Sequence, residues 1–137
     1  MTSFLSYKYT GVSKENLKVV TSIISHLRNC GLKIFCNLER EEFYIKEQLT
    51  VNQIMQDCFY ELDKCISHIT FIAPDMVASE GMMIELGYAI KKGLRTLLLI
   101  PDNYVGGVSL RAVVDDIIEY STFEDLEHKL TKFYESN

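Results

Sequence analysis

A single carboxylate, Glu85, interrupts the apolar stretch Met82-Met83-Ile84-Glu85-Leu86, which follows a strand-like run at residues 69–73. Open α/β sheets build their ligand sites at the carboxyl ends of strands, and Glu85 stands just past one. Apolar neighbours on both sides predict partial burial, which raises a carboxyl pKa unless hydrogen-bond donors hold the charge. A glutamate so placed is a candidate nucleophile or general base. Most glutamates belong to solvated helix faces. Here Met82, Met83, Ile84, Leu86 and Ala89 leave little polar face to join. Ser79, six residues earlier, suits a helix N-cap. The same hydroxyl, with the free amides of a helix N-terminus, also makes an anion site. Gly81 removes a side chain where a ligand can approach the backbone. Gly87, inside the same helix, costs ~1 kcal/mol relative to alanine, which asks for a packing or ligand reason.

The elements that must hold this segment alternate along the chain. Phe4-Leu5-Ser6-Tyr7 reads as a first strand, and Leu17, Val20, Ile24 and Leu27 recur at helical spacing until Gly31. Residues 32–36 make a second strand. Leu49, Met55, Cys58, Phe59, Leu62 and Ile66 suit the apolar face of a second helix. The strand at 69–73 precedes a helix over 80–92, stopped by Gly93, and a fourth strand over 95–100. A short helix at 109–114 and a short strand at 117–120 follow. Ser121-Thr122-Phe123-Glu124 has capping-box spacing and opens a last helix, with Leu126, Leu130 and Phe133 turned inward. This alternation predicts one α/β domain over residues 1–137: a flavodoxin-like or Rossmann-like parallel five-stranded sheet with helices on both faces. The polar, acidic segment at 37–46 fits neither period and reads as a mobile loop over the site.

With 137 residues, 47% of them hydrophobic and 24% charged, the chain can bury one core of its own. Its longest apolar run, ending at Ile100 before Pro101, is too short to span a bilayer. The amino end begins in a strand pattern without a basic or signal-like segment, so a cytoplasmic protein without membrane partners is expected. The four cysteines, Cys30, Cys36, Cys58 and Cys65, form no C-x-x-C pair and no metal-ligand spacing with the three histidines. Free, mostly buried thiols and no metal are expected. A net charge of −5 argues against binding nucleic acid polymers, yet leaves room for a small anion held by amides and hydroxyls.

Gly81-x-x-x-Glu85-Leu86-Gly87-Tyr88-Ala89 resembles the catalytic segment of the nucleoside 2-deoxyribosyltransferase family. The opening Phe4-Leu5-Ser6-Tyr7-Lys8-Tyr9-Thr10-Gly11 is similar to that family's first strand and ligand-contacting loop. The similarity runs on through Leu99-Ile100-Pro101-Asp102, Val108-Ser109-Leu110-Arg111 and Asp116-Ile117-Ile118. The resemblance implies that Glu85 attacks the anomeric carbon of a (deoxy)ribonucleoside and displaces its base, with no cofactor. One branch of the family hydrolyses 2'-deoxynucleoside 5'-monophosphates and grips the phosphate with two serines, the second supplied by a neighbouring subunit. Ser79 and Ser109 match those positions, which implies at least a homodimer. Arg111 replaces a methionine of the relatives and reads equally as an added phosphate charge or a solvated surface arginine.

The sequence also departs from that pattern. The hydrolase branch carries an arginine in its first loop, where this chain has Lys8, a less directional donor, before Gly11. Relatives place an aspartate in the helix before the third strand, for which Asp57 and Asp63 are both candidates. The aspartate that usually opens that strand is replaced around Ser67-His68, and His68 reads as a structural strand-edge histidine. His26 and His128 read as surface residues of helices. Tyr7 and Tyr88 are candidates to orient the carboxylate or the sugar, although tyrosines near a sheet end also serve as packing. The first strand and the later glutamate also resemble TIR domains, some of which cleave NAD. A nucleotide-binding module without turnover is the third reading.

Overall fold

The computed structural model describes residues 2–8 and 13–136. The chain alternates β1 (Thr2–Ser6), α1 (Lys14–Asn29), β2 (Lys33–Phe35), α2 (Glu41–Lys46), α3 (Val51–Leu62), β3 (Cys65–Phe71), α4 (Glu80–Lys92), β4 (Arg95–Pro101), α5 (Val108–Val113), β5 (Asp116–Tyr120) and α6 (Phe123–Glu135). The five strands are parallel in the order β2-β1-β3-β4-β5. This is the flavodoxin-like, doubly wound order, whose crevice opens between β1 and β3 where the direction of winding reverses. The expected α/β class and five-stranded parallel sheet are present.

Strand periodicity assigns side chains to the two faces. Leu5, Ile69, Phe71, Leu97 and Leu99 join the large core with Val20, Ile23, Ile24 and Leu27 of α1 and Leu126 and Leu130 of α6. On the other face Phe4 packs with Cys58 and Leu62 of α3 and Ala89 of α4. The same face also carries Ser6, His68 and Thr70, all three fully buried. Three buried polar side chains in the middle strands of a parallel sheet are costly unless hydrogen-bonded.

Local chemistry fixes the ends of α4. The Ser79 side chain accepts from the Met82 amide, and Gly93 closes the helix at φ 78°, a left-handed conformation that suits glycine. α4 is the helix expected over 80–92.

Several expectations need correction. The segment 37–46 is not a loop: a 3-10 turn, Asn37–Arg40, runs into α2. Its charges find partners that the sequence does not advertise. The Arg40 guanidinium lies 5.0 Å from the Phe43 ring centre and 3.3 Å from the Asp57 carboxylate, while Arg28 pairs with Glu39 at 2.7 Å. Leu49 and Ile66 fall outside α3; Ile66 sits exposed on β3. The last helix is capped one residue later than expected, because Thr122 accepts from the Asp125 amide and Asp125 reaches back to Ser121. His68 belongs to a central strand, fully buried, and not to an edge. His26 is half-buried, 2.9 Å from Thr131, whereas His128 is exposed as expected. Cys36, Cys58 and Cys65 are buried, Cys30 is partly so, and all four are free.

Candidate active site

Glu85 is 3% exposed, set one turn and a half into α4 with its side chain turned back onto β1. The Ser6 hydroxyl donates to Glu85 Oε1 at 2.7 Å, and the Cys58 thiol on α3 also hydrogen-bonds the carboxylate. Burial raises the Glu85 pKa, and the Ser6 and Cys58 bonds pull it back down. Two donors on one buried carboxylate oppose its desolvation and restrict its orientation.

A cavity of about 420 Å³ opens beside Glu85, within the ~300–1,000 Å³ range typical of small-molecule sites. Its polar lining is Tyr7, Asn37, Ser79, Glu80 and Glu85, with Gly81 at the start of α4. Val51, Ile54 and Met55 of α3 and Met82 and Ile84 of α4 supply the apolar wall. The Tyr7 hydroxyl is buried and has no hydrogen-bond partner among the described residues. Burial, and next the Cys36 thiol, push its pKa up to about 12, so it remains a proton donor at neutral pH. A buried hydroxyl of this kind costs free energy until a partner arrives. Ser79, Glu80 and Gly81 at the start of α4 line the same cavity. The Met82 and Met83 amides are taken by Ser79, so the helix start suits an anion through the Glu80 and Gly81 amides and the Ser79 hydroxyl, while the Glu80 carboxylate opposes one.

The structure thus brings together four of the residues singled out from sequence: Glu85, Tyr7, Ser79 and Gly81. The others stand elsewhere. Asp57 does not line the cavity; its carboxylate accepts from Tyr44 Oη at 2.6 Å and pairs with Arg40. Its neighbour in sequence, Cys58, is the α3 residue that reaches Glu85. Asp63 ends α3, bonded to Tyr88 Oη at 2.6 Å and to Lys92 at 3.2 Å. Tyr88 is engaged there, its ring stacked 4.7 Å from Phe59. Arg111 pairs with Glu119 at 2.8 Å. Ser109 is exposed on α5 and is not among the residues lining the cavity of its own chain. Lys8 is half-buried directly after Tyr7, and Gly11 lies outside the described residues.

Sequence reasoning missed Ser6, Cys58, His68 and Asn37. Ser6 and His68 had one available signal: they are polar residues spaced within strand runs that should be apolar on both faces in a parallel sheet. Among the described residues no group of three or more His, Cys, Asp or Glu side chains could hold a metal, and no helix is long and apolar enough to cross a membrane.

Neither a protein-family model nor a curated protein matches the sequence. Solved structures do match the fold. The CMP N-glycosidase BcmB of Clostridium botulinum aligns with 95% of this chain and 98% of its own, at TM-score 0.69 and 20% identity. A 2-deoxyribosyltransferase from Bacillus psychrosaccharolyticus covers 95% and 96% at TM-score 0.69 and 17% identity. The solution structure of BlsM aligns over 98% and 90% at TM-score 0.76, also with 17% identity. At such identities the likeness is one of fold, and it agrees with the resemblance read from residues 81–89. The chain has the fold of the nucleoside 2-deoxyribosyltransferase-like proteins.

Proposed function

We propose that this protein cleaves the N-glycosidic bond of (2'-deoxy)nucleosides and their 5'-monophosphates, with Glu85 as nucleophile. One observation carries the reading: a buried carboxylate, held by two donors, faces a cavity of nucleoside size at the switch point of the sheet. Structural likeness to an N-glycosidase and a deoxyribosyltransferase supports it.

In the first step a Glu85 oxygen bonds to C1' as the C1'–N bond breaks, and the base departs with that electron pair and takes up a proton. Positive charge on the sugar in the transition state lies against the carboxylate. The Ser6 and Cys58 bonds favour the ionised form that must attack. Water, or a second base, then attacks C1' and releases Glu85, as in retaining glycosidases. Tyr7 donates its hydroxyl proton in a hydrogen bond to a sugar or phosphate oxygen. Ser79 and the first-turn amides of α4 receive the 5'-phosphate. Ser109 reaches the phosphate of a neighbouring subunit's site in a homodimer.

The test is chromatographic base release from deoxy- and ribonucleoside 5'-monophosphates, the matching free nucleosides and NAD, with wild type beside E85Q. Release from monophosphates that disappears in E85Q supports the hydrolase. Release from nucleosides only when a second base is present selects the transferase, and release from NAD alone selects the TIR-like chemistry. No release from any substrate by a folded protein overturns the enzyme reading on this panel.

A further inference from the structure

Glu85 is one end of a hydrogen-bond chain that runs beneath it across β1 and β3. Ser6 Oγ lies 2.7 Å from Glu85 Oε1 and 2.7 Å from His68 Nε2, and Ser6 and His68 are 0% exposed. A serine hydroxyl has one proton to donate. With that proton on the bond to Glu85, the Ser6 oxygen accepts, so His68 Nε2 carries the hydrogen. His68 Nδ1 is then the bare acceptor, and Thr70 Oγ1 lies 3.4 Å from it. The ring itself stacks on Phe4, 5.8 Å between centres at 12°. With Glu85 ionised, valence assigns each donor and acceptor along the chain in this way.

We propose that His68 is a positioning residue for Glu85: its Nε2–H occupies the Ser6 oxygen and so holds the Ser6 hydroxyl on Oε1 of the carboxylate. The inference rests on Glu85 being the nucleophile. Oε1 of the carboxylate is thereby engaged from below. A second carboxylate, Glu80, lines the same cavity from the first turn of α4, and the remaining groups around Glu85 are neutral. The Cys58 thiol from α3 and the Cys36 thiol before the 3-10 turn are buried and pushed up in pKa, Cys36 to about 12, so both stay protonated. Tyr7 stays protonated too, and Asn37 does not titrate. Burial keeps His68 neutral, with its pKa lowered to about 3. A change at His68 therefore reaches Glu85 through the hydrogen bond and not through a lost charge. Packing alone would ask only for a flat ring against Phe4, which phenylalanine also supplies.

The experiment follows the Glu85 carboxyl by NMR in protein carrying 13C-labelled glutamate, the resonance assigned with E85Q. Wild type, H68F, H68Q and S6A are titrated, and kcat and KM for base release are measured in parallel. H68F should move the Glu85 midpoint up by about one pH unit, a tenfold change in ionised fraction. kcat should fall about tenfold on the acid side, with KM within about a factor of two. H68Q, whose amide returns an N–H, should recover most of both, and S6A should reproduce H68F. If H68F does not fold, S6A against H68Q decides the same point. An unmoved Glu85 midpoint in H68F and S6A, or an H68Q midpoint as displaced as that of H68F, overturns the proposal. If no variant releases base, the glycosidase reading fails while the carboxyl titration still decides the positioning role.

Discussion

The two faces of the sheet solve different problems with the same strands. Toward α1 and α6 the sheet presents Leu5, Ile69, Phe71, Leu97 and Leu99, a mainly apolar core whose few polar groups sit at its margins, as where the Tyr120 hydroxyl donates to the Ile72 carbonyl and Ser3 pairs with Ser67. Toward α3 and α4 the alternate positions are Ser6, His68 and Thr70, buried as deeply and tied into a chain ending on Glu85. Burial of about 25 cal/mol per Å² of apolar surface makes the first face a source of stability. On the second face desolvated polar groups gain little net stability even when every bond is made. The stability of the fold therefore resides mainly on one face, and its chemistry on the other. Substitutions on the two faces should differ in kind, which makes the contrast testable.

The largest expected effect separates the two directly. E85Q should reduce base release by about a thousandfold or more while leaving the fold intact. Its stability should depend on pH in a definite direction. Burial holds the folded Glu85 pKa above its ordinary 4.5, so on raising pH the unfolded chain ionises first. The wild type therefore loses stability relative to E85Q as pH rises from about 4.5 through the raised value. Urea denaturation at a series of pH values measures the difference; a wild type that gains stability relative to E85Q as pH rises contradicts the placement of this carboxylate.

His68 should show the opposite slope. Its folded pKa is lowered by burial to about 3 from 6.5. Above pH 6.5 the imidazole is neutral in both states and the full stability is present. Below 6.5 the unfolded chain takes up a proton that the folded protein refuses, so stability drains away toward pH 3, on the order of 5 kcal/mol in all. H68Q removes that titration. Acid unfolding should begin at lower pH in H68Q than in wild type, and coincident acid transitions would contradict a buried neutral imidazole.

Leu5→Ala probes the other face. Leu5 is fully buried in the α1/α6 core, so truncation should cost about 3 kcal/mol, read in the denaturant midpoint. Turnover per folded molecule, at a temperature where the variant remains folded, should change less than threefold. A large loss of turnover in folded L5A would show that the faces are not separable.

The same contrast explains what was legible in the sequence. Alternating strand and helix patterns, Gly93 and the Ser79 cap locate α4 and place Glu85 upon it, because local signals suffice there. Ser6 and His68 escaped because their partnership spans 62 residues and depends on the register that pairs Phe4 with His68 and Ser6 with Thr70. No local periodicity encodes that register. Asp57 drew attention as a carboxylate, while the neighbouring Cys58, read as a core thiol, faces Glu85. The 37–46 segment looked unstructured because its order comes from Arg40 stacked among rings and paired to Asp57 on another element.

Two glycines of α4 give the finest division between stability and function. Gly87 is exposed, and a Cβ built there meets nothing within 4 Å. Of the packing or ligand reasons expected for it, neither is found among the described residues of this chain: no atom crowds it and it does not line the cavity. Gly87→Ala should therefore stabilise the protein by about 1 kcal/mol through helix propensity, raising Tm by a few degrees, with turnover unchanged. Gly81 is equally free of strain: its Cβ would approach only Ser79 Oγ, at 3.9 Å. Yet Gly81 lines the cavity and Gly87 does not. Gly81→Ala should also fold and melt no lower than wild type, since the added methyl meets ordinary van der Waals space. Its methyl group narrows the mouth where the first-turn amides receive an anion, so KM for a 5'-monophosphate should rise several-fold. KM for the matching free nucleoside should move less. Equal KM changes for the two substrates would remove the phosphate from the start of α4 and return Ser79 to the role of a helix cap.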